Sequence, residues 1–311
     1  MSGPTVSAVV PVFNGERYIA ESLRGILSQT RPPNEVVVVD DGSTDATQEE
    51  LLPFRNEIRV IRQRNQGHVG AMNRLFSEAR GDFVAKCDAD DIWEADKLER
   101  QLEAVRTHPE VDIVVTGSRF FGMVEGPRVS FPEAGVLEPR KLARRLYRRN
   151  FVCASAPLVR RELYERLGPF DGTLACEDYD FWLRAFAAGA VFFYDPRLLV
   201  RYRVHPQQVS QNELRMREGV YTVHRRYAGV VRGPHQVRAV QADDLLEIAR
   251  LIVDQHRPRE ARTLFVSSLR RWPTARALAW TLVLSTPDQL RRPLAERIVS
   301  AKRTLVSAAL R

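Results

Sequence analysis

Phe83-Val84-Ala85-Lys86-Cys87-Asp88-Ala89-Asp90-Asp91 runs from an apolar segment directly into three carboxylates within four residues. A strand packed inside a sheet cannot bury such charge, so it must stop here and deliver the acids into a loop at its carboxyl end. Clustered hard oxygen donors at a strand end suit a divalent cation that also holds phosphate oxygens, as Mg²⁺ or Mn²⁺ does. A solvated turn can have the same composition, so the weight falls on the segments around it.

Those segments alternate. Val6-Ser7-Ala8-Val9-Val10 reads as a first strand stopped by Pro11, and 16–29 has helical spacing through Tyr18, Ile19, Leu23, Ile26 and Leu27. Val36-Val37-Val38-Val39 is the unbroken β-branched run expected of a parallel strand covered on both faces. Asp41-Gly42-Ser43-Thr44-Asp45 follows, with a helix N-cap expected at Ser43 or Thr44. A strand at 58–61, a helix at 70–79, a strand at 82–86, a helix at 95–107 and a strand at 111–116 continue the rhythm. This alternation predicts an α/β, doubly wound and mostly parallel sheet with ligands at the strand carboxyl ends. Beyond 117 the pattern breaks into short β pieces, helices at 138–149 and 178–188, and strands near 191–194 and 198–203.

From about 208 nearly everything scans as helix. Leu245, Ile248, Ala249 and Ile252 share one face, as do Phe265, Leu269 and Trp272, and then Ile298, Ala301, Leu305 and Ala308. Residues 258–272 resemble one helix of a tetratricopeptide unit, but no second copy follows, and solenoids need several. Charge changes at the same place. Residues 1–212 carry a net charge of −2 and residues 213–311 a net of +10, within a total of +8. The expected organisation is therefore a catalytic domain over 1–212 and a basic, amphipathic helical subdomain over 213–311.

Composition narrows the class. The 311 residues, 44% of them hydrophobic, can build a proper core. Cys87, Cys153 and Cys176 form neither a disulfide framework nor a metal finger and read as small buried side chains, which points to a reducing cytoplasm. Met1-Ser2-Gly3-Pro4 has no signal-peptide character, and the apolar run 277–284 is too short to span a bilayer. A helix at 138–149 carries Arg140, Lys141, Arg144, Arg145, Arg148 and Arg149 in two basic rows. These read either as a solvated face or as an acceptor or membrane contact. Nucleic-acid binding is not expected, because no nucleic-acid motif accompanies the basicity.

The strand ends are best taken together. The first delivers Pro11-Val12-Phe13-Asn14-Gly15-Glu16, the second Asp40 to Asp45, and the fourth Asp88 to Asp91. A dinucleotide-binding oxidoreductase would show a glycine triplet after its first strand, and a phosphate-loop enzyme a Lys-Ser or Lys-Thr ending; neither is present. Phosphate charge would have to be met by a carboxylate-held metal. A nucleotidyltransferase would need a glycine- and Lys/Arg-rich loop, which 11–18 lacks.

The chain resembles a family 2 glycosyltransferase of the GT-A fold. The resemblance rests on Pro-Val-Phe-Asn-Gly-Glu at 11–16, Val-Val-Asp-Asp-Gly-Ser-Thr-Asp at 38–45, Asn65-Gln66-Gly67 and Asp88-Ala89-Asp90-Asp91. It continues through Gly168-Pro169-Phe170-Asp171, the 177–184 block Glu-Asp-Tyr-Asp-Phe-Trp-Leu-Arg, and Tyr202-Arg203-Val204-His205 followed by Ser210. These pieces stand in family order over about 5–212. The resemblance implies an inverting, metal-dependent transferase using a nucleotide-diphosphate sugar, most simply a UDP-sugar. Its acceptor would be a saccharide or lipid-linked molecule, in cell-surface polysaccharide or glycoconjugate synthesis. Pro11, Phe13 and Glu16 would line the nucleoside pocket, and Asp41 would accept the N3 proton of the base. Asn65, Gly67, Asn73, Asp88 and Ala89 would complete the nucleotide-sugar contacts. Asp90, Asp88 and His205 would hold Mn²⁺ or Mg²⁺. Asp178 would be the general base, with Glu177 as its alternative, and its place at a helix start should favour the charged form.

Three positions depart from the family pattern. Met72 stands where an arginine is common, leaving Arg64 or Arg74 as replacements; Lys86-Cys87 replaces an apolar pair; and Cys153-Ala154-Ser155 occupies the place of a glycine loop. The implied location is the cytoplasm, including the inner face of the plasma membrane through the basic tail. The sequence is compatible with a homodimer. A silent nucleotide-sugar-binding protein on the same fold is the competing class, and the intact Asp88, Asp90, Asp178 and His205 argue against it.

Overall fold

The computed structural model describes residues 3–206, 208, 212–231 and 233–285. The chain divides into two compact units between Gln208 and Val209, beside the 212/213 boundary expected from charge. The face anticipated at Ile298 to Ala308, and Ser210, lie outside the described residues.

In the first unit the elements run β1 (Val6–Val12), α1 (Ile19–Leu27), β2 (Glu35–Asp40), α2 (Thr47–Leu51), β3 (Arg59–Arg62), α3 (Gly67–Glu78) and β4 (Phe83–Lys86). They continue as β5 (Ile92–Trp93), α4 (Lys97–Thr107), β6 (Ile113–Gly122), β7 (Gly126–Arg128), β8 (Gly135–Val136) and α5 (Pro139–Arg148). The unit closes with β9 (Leu158–Arg160), α6 (Arg161–Leu167), α7 (Glu177–Ala187) and β10 (Phe192–Val204). A single sheet orders them β3-β2-β1-β4-β9-β6-β10-β5, with β7 on β6 and β8 on β10.

The front half follows the sequence pattern. β1 pairs in parallel with both β2 and β4, so three strand carboxyl ends open on one rim. The valines of β2 are buried, as a strand covered on both faces requires. The back half is mixed: β9 lies antiparallel between β4 and β6, while β6 and β10 are parallel. A three-residue strand such as β9 has too little periodicity to be read from sequence. The N-cap expected at Ser43 or Thr44 is not formed. Helix α2 begins at Thr47, whose N–H donates to the Asp45 carboxylate at 3.1 Å, and the Ser43 hydroxyl instead accepts from Asn14 N–H at 2.9 Å.

The two strands expected near 191–194 and 198–203 are one, β10, with register shifts against β6 between Asp195 and Val200. Asp195 pins the irregularity by accepting from Arg197 N–H at 3.0 Å and Arg197 Nε at 2.9 Å. Gly117 on β6 makes room for it. A Cβ there would lie 2.7 Å from the Pro196 carbonyl oxygen and 2.9 Å from that of Arg197, both backbone atoms that cannot step aside. Beyond the irregularity β10 runs antiparallel to β5 and carries Arg203 toward the acidic turn.

The second unit comprises α8 (Glu213–Arg226), α9 (Pro234–Asp254), α10 (Pro258–Arg271) and α11 (Ala275–Val283). Its core gathers Ile248, Ala249, Ile252, Phe265 and Trp280, the last two rings stacked at 5.4 Å. Trp272, expected on the buried face of α10, lies past the helix end, 37% exposed, with its ring against His235. The backbone turns extended at that residue and swings the indole off the helical stripe. Among the described residues no helix is long and apolar enough to cross a membrane.

Gly117→Ala should destabilise the first unit by roughly 1–3 kcal/mol, because the added methyl overpacks a backbone contact. A urea midpoint equal to that of the wild type would show that the irregularity does not need the glycine.

Candidate active site

The rim is assembled from the loops after β1, β2 and β4. The first two are laced together: Asn14 N–H donates to Ser43 Oγ, Thr44 N–H to Asn14 Oδ1 at 2.8 Å, and Gly15 N–H to Thr47 Oγ1 at 2.9 Å. Glu16 takes part through its carboxylate, which accepts from Ala46 N–H at 2.9 Å. The third loop is close by, since a Cβ on Gly15 would lie 3.7 Å from that of Ala89. Phe13 projects from this rim, 51% exposed, while Pro11 is buried in β1. Asp41 is 2% exposed; its Oδ1 accepts from Gln63 Nε2 and Gln66 N–H, both at 2.8 Å. Its Oδ2 has no hydrogen bond among the described residues and stays available as an acceptor.

The acids of the 88–91 turn are separated by their partners. Lys86 Nζ reaches the two oxygens of Asp88 at 2.6 and 2.7 Å. Asp90 Oδ2 lies 2.9 Å from His205 Nε2, and its main-chain oxygen accepts from Arg203 Nε at 2.9 Å. Asp91 is fully buried; Ser155 Oγ donates to its Oδ2 at 2.6 Å and Arg203 N–H to its Oδ1 at 2.9 Å. The same Ser155 hydroxyl accepts from Asp88 N–H at 2.9 Å, so the segment without a glycine loop fastens the acidic turn. Ser22 on α1 holds the turn from beneath, donating to the Ala89 carbonyl at 2.8 Å.

Electrostatics sort these groups further. Burial pushes the Asp88 carboxyl up, but Lys86 and then His68 outweigh it, and it lies below the ordinary range. For Asp91, burial and the neighbouring Asp88 and Asp90 act together and hold its carboxyl well above that range. Burial opposes the charge on Lys86, yet Asp88 above all, then Glu177 and Asp178, hold its ammonium above the usual lysine value.

Glu177 and Asp178 open α7, and both fall within the field of Lys86. Asp178 Oδ2 accepts from Asn150 Nδ2 at 2.9 Å, and its Oδ1 from Tyr179 N–H at 2.7 Å. Glu177 stands 3.4 Å from His68 Nε2, on the first turn of α3. The helix start does not dominate Asp178 as expected. Burial, then the Glu177 charge, lift its carboxyl to about 6 against the pull of Asn150 and Lys86. A carboxyl in that range is ionised near neutrality yet basic enough to take a proton.

Other expected residues are engaged within the protein as follows. Asn73 faces the 168–171 turn: its Oδ1 accepts from Phe170 N–H at 2.8 Å and Tyr164 OH at 3.1 Å, and its Nδ2 donates to the Phe170 carbonyl. Asn65 accepts from Gly67 N–H at 3.1 Å at the entry to α3, and both residues are exposed. Met72 is buried in the core. Arg74 is paired with Glu78, while Arg64 is exposed. The three cysteines are buried and free, and burial raises each thiol. The roles of His68, Asn150 and Ser155 arise only from contacts with segments 28 to 109 residues away, which no local pattern reports, and Lys86 is visible in the sequence only as an anomaly before the acids.

The expected three-residue metal set is not assembled. Asp88 is turned to Lys86, and among the described residues no group of three His, Cys, Asp or Glu is placed to hold a metal. The Asp90–His205 pair is a different case. One carboxylate oxygen and one imidazole nitrogen in contact form a donor set that suits Mn²⁺ or Mg²⁺ when diphosphate and water supply the other oxygens.

The glycosyl transferase family 2 model matches residues 7–168. A Bacillus subtilis (strain 168) protein, "Putative glycosyltransferase EpsE", is 31% identical over 200 residues, 60% of this chain and 69% of that one. An uncharacterized glycosyltransferase of Rickettsia prowazekii, RP339, is 26% identical over 219 residues, 69% of each chain. Among solved structures, S. aureus TarS 1-349 in complex with UDP-GlcNAc superposes with a TM-score of 0.68 at 18% identity, covering 96% of this chain and 92% of that one. The mannosyltransferase PcManGT of Pyrobaculum calidifontis, in complex with GDP-Man and Mn²⁺, gives 0.57 at 20%, covering 97% and 87%. At these identities the structures establish a shared GT-A fold.

Lys86→Met should strand the Asp88 carboxylate, cost about 3 kcal/mol at neutral pH, and invert the local pH dependence. In the wild type the depressed Asp88 pKa contributes stability above the usual carboxylate range that is lost on acidification. In the variant the Asp88 pKa would be raised, so the deficit should shrink as pH falls toward 4. Thermal melts of both proteins between pH 4 and 8 test this, and parallel curves would refute it.

Proposed function

Because the chain belongs to glycosyl transferase family 2, we propose that it transfers a sugar from a UDP-sugar to a hydroxyl of a saccharide or lipid-linked acceptor, with inversion. The observation that carries this reading is one buried cation, Lys86, joining the acidic turn at Asp88 to the field of the Glu177–Asp178 pair. A donor-binding edge and a proton acceptor thus share one electrostatic unit.

The geometry supports a division of labour. Phe13 offers a ring to a nucleobase, and the available Oδ2 of Asp41 suits the N3–H of uracil. The UDP-GlcNAc of the TarS complex supports a uridine carrier. Asp90 and His205 would hold Mn²⁺ or Mg²⁺, which when bound supplies positive charge against the departing diphosphate. Asp178 removes the acceptor hydroxyl proton. The acceptor oxygen forms its bond to the anomeric carbon as the bond to the diphosphate breaks, and that electron pair leaves on the diphosphate oxygen. Asn150 orients the base through Oδ2, and the half-buried setting of Asp178 raises its basicity above that of a free carboxylate. Such chemistry fits the building of surface glycans on the cytoplasmic side of a membrane.

Wild-type protein should release UDP from at least one UDP-sugar in the presence of Mn²⁺, and Asp178→Asn should lower kcat by about 10³-fold. UDP binding, read by thermal shift, should be nearly unchanged in the variant. Since the base works only when ionised, kcat/KM should fall as pH drops through about 6. UDP binding without any turnover would favour a silent binding protein, and a fully active Asp178→Asn would remove the base assignment.

A further inference from the structure

Helix α5 carries Arg140, Lys141, Arg144, Arg145, Arg148 and Arg149 on or just past its ten residues, all of them exposed. Among the described residues Arg140, Lys141, Arg148 and Arg149 form no salt bridge, and Arg145 lies over the Phe131 ring at 5.0 Å. The arrangement is unfavourable in isolation. Like charges meet at 140/144/148 and 141/145/149, each an i,i+4 repulsion. Arg140 and Lys141 also sit in the first turn, where the helix dipole repels cations and the Glu138 cap offsets part of the repulsion, whereas Arg145 and Arg148 in the last turn are placed favourably. A face built this way gains most from an anion laid along it.

The face leads to the site. Tyr179 OH donates to the Leu146 carbonyl at 2.6 Å, tying the last turn of α5 to the first turn of α7. Asn150, just past the helix, donates to Asp178. The cations therefore run along a track about 15 Å long whose end adjoins the general base. The helix cannot also lie in lipid, because Leu142, Ala143, Leu146 and Tyr147 are already buried in the protein and every outward side chain from 140 to 149 is charged.

We propose that the outward face of α5 docks the acceptor, and that this acceptor is an anionic saccharide chain bearing phosphate or carboxylate groups at regular spacing. The proposal rests on the transfer reading above and adds the chemical class of the acceptor. The cations bind the chain in register, and Asn150 and Asp178 receive the hydroxyl at its end.

The test uses the full chain with four probes: inorganic polyphosphate, polygalacturonate, neutral dextran, and phosphatidylglycerol vesicles. The wild type should bind both soluble polyanions at low salt and ignore dextran. Lys141→Gln/Arg148→Gln/Arg149→Gln should weaken polyanion binding roughly tenfold or more, with no loss of melting temperature or of UDP binding. An equal neutralisation in the helical unit, Arg259→Gln/Arg262→Gln/Arg270→Gln, should leave polyanion binding near the wild-type value. Bound polyanion should slow hydrogen exchange at 146–150 and 177–180. Equal losses in the two variants, no wild-type binding to either polyanion, or protection absent from 177–180 would overturn the proposal. So would an α5 variant that loses only vesicle binding, which would make the face a membrane contact. UDP release is scored separately. A protein that cleaves UDP-sugars but ignores polyanions loses only the acceptor assignment, whereas α5-dependent polyanion binding with no UDP-sugar binding or cleavage overturns the transfer reading and the acceptor assignment with it.

Discussion

The Lys86–Asp88 ion pair is the contact around which the first unit is organised. Three carboxylates within four residues cannot leave water without partners, because an unpaired buried charge costs several kcal/mol. Each acid therefore finds one: Lys86, two residues back, for Asp88, and from distant segments His205 for Asp90 and Ser155 with the Arg203 amide for Asp91. Satisfying the acids draws the end of β10 and the 153–155 segment onto the ends of β1 and β4. The sheet irregularity opposite Gly117 belongs to the same construction, because β10 passes through it before reaching the acidic turn.

That demand explains why the site combines opposite pKa shifts within a small space. Asp88 is held ionised by a cation in contact, whereas Asp178, reached by the same cation only at a distance, is governed by burial and by Glu177. Carboxyls with such different environments suit different tasks. One stays charged at the strand ends, and the other is held close to neutrality.

The helical unit shows related physics. His224 and Asp244 are both buried, with Nδ1 and Oδ2 2.6 Å apart, and Gln241 donates to the His224 carbonyl at 3.2 Å. In the same unit the apolar stripe of α9 and the stacked Phe265 and Trp280 form an ordinary core. Among the described residues of this unit every arginine is exposed or half-buried, where a partner or solvent can meet its charge.

The sequence by itself determined the parallel front of the sheet, because Val36 to Val39 and the apolar runs before Pro11 and Lys86 admit only buried strands. It determined that acidic loops share a rim, since βα alternation leaves strand ends together, and the motif order pointed to the family. It also marked Lys86 as out of place. It could not reveal β9, whose three residues carry no period, nor join 191–194 to 198–203 across the Asp195 irregularity. Only the tertiary structure decided that Asp88 turns to Lys86, that Asn73 holds the Phe170 turn, and that Asn150 and Ser155 serve the acids. The reason is physical: strand and helix signals are local periodicities, whereas the partner of a buried polar group, whether two residues away as Lys86 is from Asp88 or in a distant segment, is chosen by what the fold brings within hydrogen-bonding reach.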